Sequence, residues 1–200
     1  GMGGLGCPAA TSLVAAGIGT LNIIDGDTVD LSNLHRQHLY QPEDIGKDKV
    51  SVAKRSLENI SSQTKINPFN NFLDQSNVKS CFENIDIIID ATDNIVSRQF
   101  IDKVSKDKNL PMIYGSLYKF EGQVGVFNTE SKIGYAELFP GNISGGKTCE
   151  EAGVIGMLPS IIGNMQALEA IKLILNLEPN LIGRLLIYDG LQHTTEVIEL

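Results

Sequence analysis

Three charged side chains stand where a site that handles phosphates would need them. Arg36 lies in the segment Asp27-Thr28-Val29-Asp30-Leu31-Ser32-Asn33-Leu34-His35-Arg36-Gln37. Lys49 opens the next periodic apolar stretch, and Asp93 falls within Asp90-Ala91-Thr92-Asp93-Asn94. A guanidinium is a planar fork matched to phosphate oxygens, and an ammonium on a flexible stem is a second, mobile cation. Asn33 adds an amide donor beside them. A lone carboxylate such as Asp93 suits Mg²⁺, whose octahedron phosphates and waters complete. Taken singly, each cation also reads as a solvated surface charge, and Asp93 as a cap for the helix that begins near Asn94.

A glycine cluster supplies what these groups would act on. Gly1, Gly3 and Gly6 fit G-x-G-x-x-G, with Gly4 as an extra. Such a turn lets backbone approach a phosphate, while the helix after it offers free N–H groups and a positive dipole end. Asp25 comes 19 positions after Gly6, at the end of the next strand, where an acid grips ribose hydroxyls. Turn and acid together point to an adenosine ligand but do not separate NAD from ATP. Arg36, Lys49 and Asp93 favour a triphosphate, because a dinucleotide dehydrogenase needs no cation planted just after the ribose acid.

The elements that must hold these groups alternate. Pro8 to about Ala16 reads as a helix, with Pro8 in the first turn and Gly17 as its stop. Thr20 to Asp25 reads as a buried strand, and Lys49 to Ile60 as a helix with Val50, Ala53, Leu57 and Ile60 on one face. Ile85 to Ala91 is a nearly continuous apolar strand, the mark of a sheet covered on both sides. A helix over 94–105, strands at 112–116 and 123–127, and an irregular stretch over 128–158 follow. The periodicity then predicts a helix from Ile161 to Leu175 with Ile161, Met165, Leu168, Ile171 and Leu175 on its buried stripe. Arg184 to Asp189 and Thr195 to Leu200 are closing strands. The fold expected is α/β and Rossmann-like, mainly parallel in the first half with an antiparallel extension in the second.

The 200 residues read as one domain, 1–200. A glycine turn of this kind normally hangs between a strand and a helix, so an upstream strand, with N-terminal helices, is expected before Gly1. The other reading takes Gly1 as the residue of a removed tag and Met2 as the start. A formal charge of −8 weighs against a broad nucleic-acid footprint. The apolar runs fall short of the roughly 20 residues that cross a bilayer, so no membrane partner is expected. Cys7, Cys81 and Cys149 form no CxxC pair and suit a reducing, cytoplasmic setting.

Together, GMGGLG, IIDGDTVDLSNLHRQ, IGKDKV, DATDN, YGSLYKFEGQVGVF, TCEEAGVIGMLPSIIGNMQALEAIKLIL and LLIYDG resemble the bacterial MoeB/ThiF/HesA group, in order over nearly the whole chain. These relatives of ubiquitin-activating enzymes adenylate the C-terminal glycine of a small ubiquitin-like sulfur carrier, of the MoaD/ThiS type, for molybdopterin or thiamine synthesis. The resemblance implies that Gly3 and Gly4 approach the phosphates and that Asp25 holds the ribose. It implies that Ser32, Asn33, Leu34, His35 and Arg36 line the ATP site, with Arg36 and Lys49 on the phosphates. Asp93 would bind Mg²⁺ with Asn94 beside it, and a homodimer is expected.

Two departures from the family pattern bear on function. The segment before Leu138-Phe139-Pro140 lacks the cysteine of a zinc-binding pair, so no zinc is expected. The arginine that the family carries near its N-terminus has no counterpart here. Cys149 matches a cysteine that in some members joins thioester or persulfide chemistry, although Glu150 and Glu151 beside it disfavour a thiolate. The glycine-rich run 141–146 reads either as a loop that clamps the carrier tail or as plain surface. Two other functions stay open at this point: an NAD-dependent oxidoreductase, and a non-catalytic binding scaffold.

Overall fold

Helix α1 (Gly6–Ala15) begins inside the glycine cluster and carries Pro8 in its first turn. Gly17, at φ +86°, takes the left-handed turn that ends it. The computed structural model of the chain describes residues 1–129, 133–140 and 154–200. Strand β1 (Thr20–Ile24) follows, then two 3₁₀ turns at Leu31–Asn33 and Pro42–Asp44, and α2 (Lys49–Glu58). The chain returns as β2 (Lys65–Phe69), parallel to β1, with Thr20 opposite Lys65 and Ile24 opposite Phe69. This strand is not among those expected from the sequence, and it contains Pro68. Its position explains the tolerance: among the described residues β2 pairs only with β1, and an edge strand can spare the missing N–H.

A short α3 (Val78–Cys81) leads to β3 (Ile88–Asp90), α4 (Ile95–Lys108) and β4 (Met112–Tyr118), which lies parallel to β3. From there the direction reverses. Strand β5 (Glu121–Phe127) runs antiparallel to β4, and after α5 (Tyr135–Leu138) and α6 (Met157–Leu175) come β6 (Arg184–Asp189) and β7 (Thr194–Glu199), each antiparallel to its neighbour. The first half is thus parallel and the second antiparallel, as expected. The strands form two sheets, β1-β2 and β3-β4-β5-β6-β7. Of the apolar run 85–91, the residues Ile88, Ile89 and Asp90 pair with β4, and among the described residues β3 has no partner on its other side.

The buried stripe of α6 differs from the expected one. Leu158, Ile162, Gly163, Gln166, Ala167 and Ala170 face inward, while Leu168 and Leu175 are more than half exposed. The cause is close packing through small residues. At Gly163 the helix presses on α1, where any Cβ would run into the Leu5 carbonyl and Pro8. Counting large apolar side chains misses a face built on glycine and alanine. Among the described residues, no helix is long and apolar enough to cross a membrane.

Candidate functional site

The carboxyl ends of β1 and β3 frame a cavity of about 1030 Å³, with the glycine turn between them. Asp25 closes β1 and ties that turn in place: its Oδ2 accepts the Met2 N–H at 2.6 Å and its Oδ1 the Asp27 N–H at 2.9 Å. Met2 is held from two further directions, since its carbonyl accepts the Tyr40 hydroxyl at 2.7 Å and the Cys7 thiol at 3.3 Å. Burial pushes the Cys7 thiol up to about 12, so Cys7 packs as a neutral side chain. Cys81 is equally buried. Both cysteines therefore serve as packing residues.

Arg36, Lys49 and Asp93 all line this cavity, together with Gly3, Gly4, Asp25, Asn33 and Asn94. Arg36 donates from one terminal nitrogen to the Ser32 carbonyl at 2.9 Å, which sets the direction of its side chain. That side chain runs alongside Gly4: a Cβ there would lie 3.6 Å from Arg36 Cδ and 3.0 Å from Pro159 Cβ. Lys49 departs from expectation. It is not a mobile surface cation but a buried one, 6% exposed, with its Nζ 3.0 Å from Asp27 Oδ2. A buried ammonium requires a partner, and Asp27, which sequence reasoning passed over, provides it.

Ser32, Leu34 and His35 stand outside the cavity. The Ser32 hydroxyl and N–H both turn to Asp30 Oδ1, Leu34 packs on the core around α2, and the His35 carbonyl lies against Gly156. Tight turns send successive side chains in different directions, so a contiguous motif supplies only some of its members to one site. Gln37 was missed as well. It is buried, lines the cavity, and leaves its Oε1 without a hydrogen-bond partner.

The second wall is the turn after β3. Asp90 is fully buried, and its Oδ1 accepts both the N–H and the hydroxyl of Thr92, at 3.0 and 2.5 Å. Arg98 donates to the Thr92 carbonyl at 2.7 Å, faces Asp90 Oδ2 at 3.8 Å, and lies over the Tyr114 ring at 4.9 Å. Thr92 is therefore fixed at its nitrogen, hydroxyl and carbonyl. The next residue, Asp93, is exposed at the cavity wall. The cap of α4 is Asn94, whose side chain accepts the Ser97 N–H at 2.9 Å. Asp93 is thus spared the capping role that the sequence left open for it. Among the described residues, no three His, Cys, Asp or Glu side chains converge as a metal-ligating group. Asp93 fits a cation that draws most of its ligands from phosphate and water.

Cys149 and the run 141–146 lie outside the described residues. A sequence model of the ThiF family matches residues 1–200. The chain belongs to the ThiF family. It is 40% identical over 204 residues to the molybdopterin-synthase adenylyltransferase of Haemophilus influenzae, covering 100% of this chain and 83% of that one. It is 37% identical over 199 residues to the sulfur carrier protein adenylyltransferase of Thermus thermophilus, covering 96% and 73%. With a probable molybdopterin-synthase adenylyltransferase of Porphyra purpurea the identity is 43% over 195 residues, covering 96% of this chain and 51% of that one. This ThiF-family chain thus spans from about half to about four-fifths of the length of these relatives. The crystal structure of PaaA superimposes with a TM-score of 0.83 at 29% identity, over 100% of this chain and 62% of that one.

Proposed function

We propose that this chain is the ATP-binding core of an adenylyltransferase that forms an acyl-adenylate on the C-terminal glycine of a ubiquitin-like sulfur carrier. The observation that carries the reading is the meeting of Arg36, Lys49 and Asp93 with the glycine turn in one cavity. The names of the relatives from Haemophilus influenzae and Thermus thermophilus support it. In this reading the carrier's carboxylate attacks the α-phosphorus in line. A new O–P bond forms as the bond to the bridging oxygen breaks, and pyrophosphate leaves with that electron pair. Arg36 and Lys49 offset the charge gathering on the phosphate oxygens. Asp25 accepts from the ribose hydroxyls, and Gly3 and Gly4 keep the backbone open to the phosphates. No general base is needed, since a carboxylate is already ionised at neutral pH.

Asp93 is the residue that would hold Mg²⁺, with Asn94 adjacent; the ion supplies charge neutralisation on the phosphates when bound. The reading includes no zinc. Its partners are the carrier and a second copy of the chain, and its setting is the cytoplasm. Exchange of labelled pyrophosphate into ATP, measured with and without purified carriers, tests the reaction. Carrier-dependent exchange is expected. Tight binding of NADH with none of ATP would overturn the reading in favour of an oxidoreductase. ATP binding with a flat exchange trace across several carriers would favour a non-catalytic scaffold.

A further inference from the structure

Most large apolar side chains of the segment 65–73 go into packing. Ile66 is buried in the core around α2, and Phe69 and Leu73 pack on the core that holds Met112 and Tyr114. Phe72 does not join them. It is 67% exposed, and it lines the cavity together with Asn71 and Leu73. Its place is fixed from two sides. A Cβ on Gly26 would lie 2.8 Å from Phe72 Cδ2, 2.9 Å from Cε2 and 2.8 Å from the Phe72 nitrogen. Glycine at 26 therefore lets the ring and its backbone close on the residue that follows Asp25. On the other side, the Asn77 amide donates to the Phe72 carbonyl at 2.7 Å. Asp74 Oδ1 holds that turn by accepting the Ser76 and Asn77 N–H groups at 2.7 and 3.2 Å.

The result is a flat apolar face, set in advance at the edge of a polar cavity. A phenyl ring that keeps most of its surface in water gains little from burial, so its position calls for another account. The sugar beside it supplies one. A nucleobase hangs from C1′, next to the carbon that bears the 2′-hydroxyl, whereas the phosphates leave from the far side of the ribose. With the ribose hydroxyls on Asp25 and the phosphates toward Gly3, Gly4 and Arg36, the base comes within reach of residue 26 and of the ring that lies on it.

We infer that Phe72, seated by Gly26, is a stacking platform for the nucleobase, an inference that rests on the reading of Asp25 as the ribose acceptor. The ring meets the face of the base through dispersion and quadrupole contact. It offers no hydrogen bond to the edge of the base, so its contribution is to affinity and to the angle at which the nucleotide lies.

The chain contains no tryptophan, so Phe72→Trp plants a single fluorescent reporter at the proposed contact. ATP is expected to quench it, because a base stacks on the indole; inorganic triphosphate, which has no base, is expected to leave it unquenched. Equilibrium dialysis with labelled ATP then compares the parent chain with Phe72→Ala and Phe72→Tyr. The tyrosine variant is expected to bind as the parent does, and the alanine variant about tenfold more weakly, both with the parent's unfolding midpoint. ATP binding by the parent that Phe72→Ala leaves unchanged would overturn the platform and spare the nucleotide reading. So would an unquenched reporter in a Phe72→Trp chain that binds ATP in dialysis. Absence of ATP binding in the parent would overturn both together.

Discussion

The Lys49 ammonium is almost sealed from solvent, yet the carboxylate that neutralises it, Asp27, has a side chain 55% exposed. The pair is lopsided, and so are the expected consequences of breaking it. Lys49→Met leaves Asp27 to be solvated by water, so the thermal midpoint should move little while carrier-dependent exchange falls at least a hundredfold. Asp27→Asn strands a buried cation and should cost about 1–3 kcal/mol in urea unfolding. Added ATP should recover part of that loss, because phosphate oxygens take the place of the carboxylate.

Asp93 and Asn94 separate chemistry from stability along one peptide bond. Asn94 caps α4 and Asp93 does not. Asn94→Ala should therefore cost about 1 kcal/mol, read as a lowered unfolding midpoint. Asp93→Asn should keep the wild-type midpoint and abolish the Mg²⁺ dependence of exchange.

Asp102 anchors the segment that carries α5. Its carboxylate, 2% exposed, accepts from the Tyr135 N–H at 2.8 Å, the Ala136 N–H at 3.3 Å and the Asn128 amide at 2.9 Å. Asp102→Ala leaves several buried donors unmet and should destabilise the fold by about 3 kcal/mol. Chymotrypsin should then cleave near Tyr135 under conditions in which the parent chain resists.

Asp44 gives a pH dependence of known sign. The Arg55 guanidinium at 2.7 Å, with Lys47 and the Gln41 N–H, holds its carboxyl below the usual carboxylate range. A depressed acid contributes stability above its unfolded pKa, roughly 4, and loses it as pH falls through the folded value. Asp44→Asn should therefore unfold earlier than the parent at neutral pH. The two unfolding curves should converge below about pH 4.

The parts of the fold legible in the sequence are those with local signals. Pro8 and Gly17 bracket α1, and β6 falls at Arg184–Asp189, as its apolar run requires. What the sequence hid depends on partners distant in the chain. β2 carries a proline that only an edge position excuses, and the buried face of α6 rests on Gly163 and Ala167, which no count of large side chains finds. At the site, Asp25, Arg36 and Asp93 were visible by type and spacing. Asp27, Gln37 and Arg98 were not. Each is placed by the fold: Asp27 against a buried ammonium, Gln37 in the cavity wall, and Arg98 against Thr92, Asp90 and the Tyr114 ring.

Gln166 reaches out of α6 and donates to two carbonyls, Asp90 at 2.8 Å and Ile113 at 3.2 Å. One amide thus rivets a helix to adjacent parallel strands at the very residue that launches the Thr92 turn. Gly115 makes the room, since any side chain there would collide with the Gln166 amide. The Asp93 carboxylate therefore inherits its coordinates from a residue more than seventy positions downstream. A change in the tilt of α6 would thus reach the turn that carries Asp93 through the Gln166 amide.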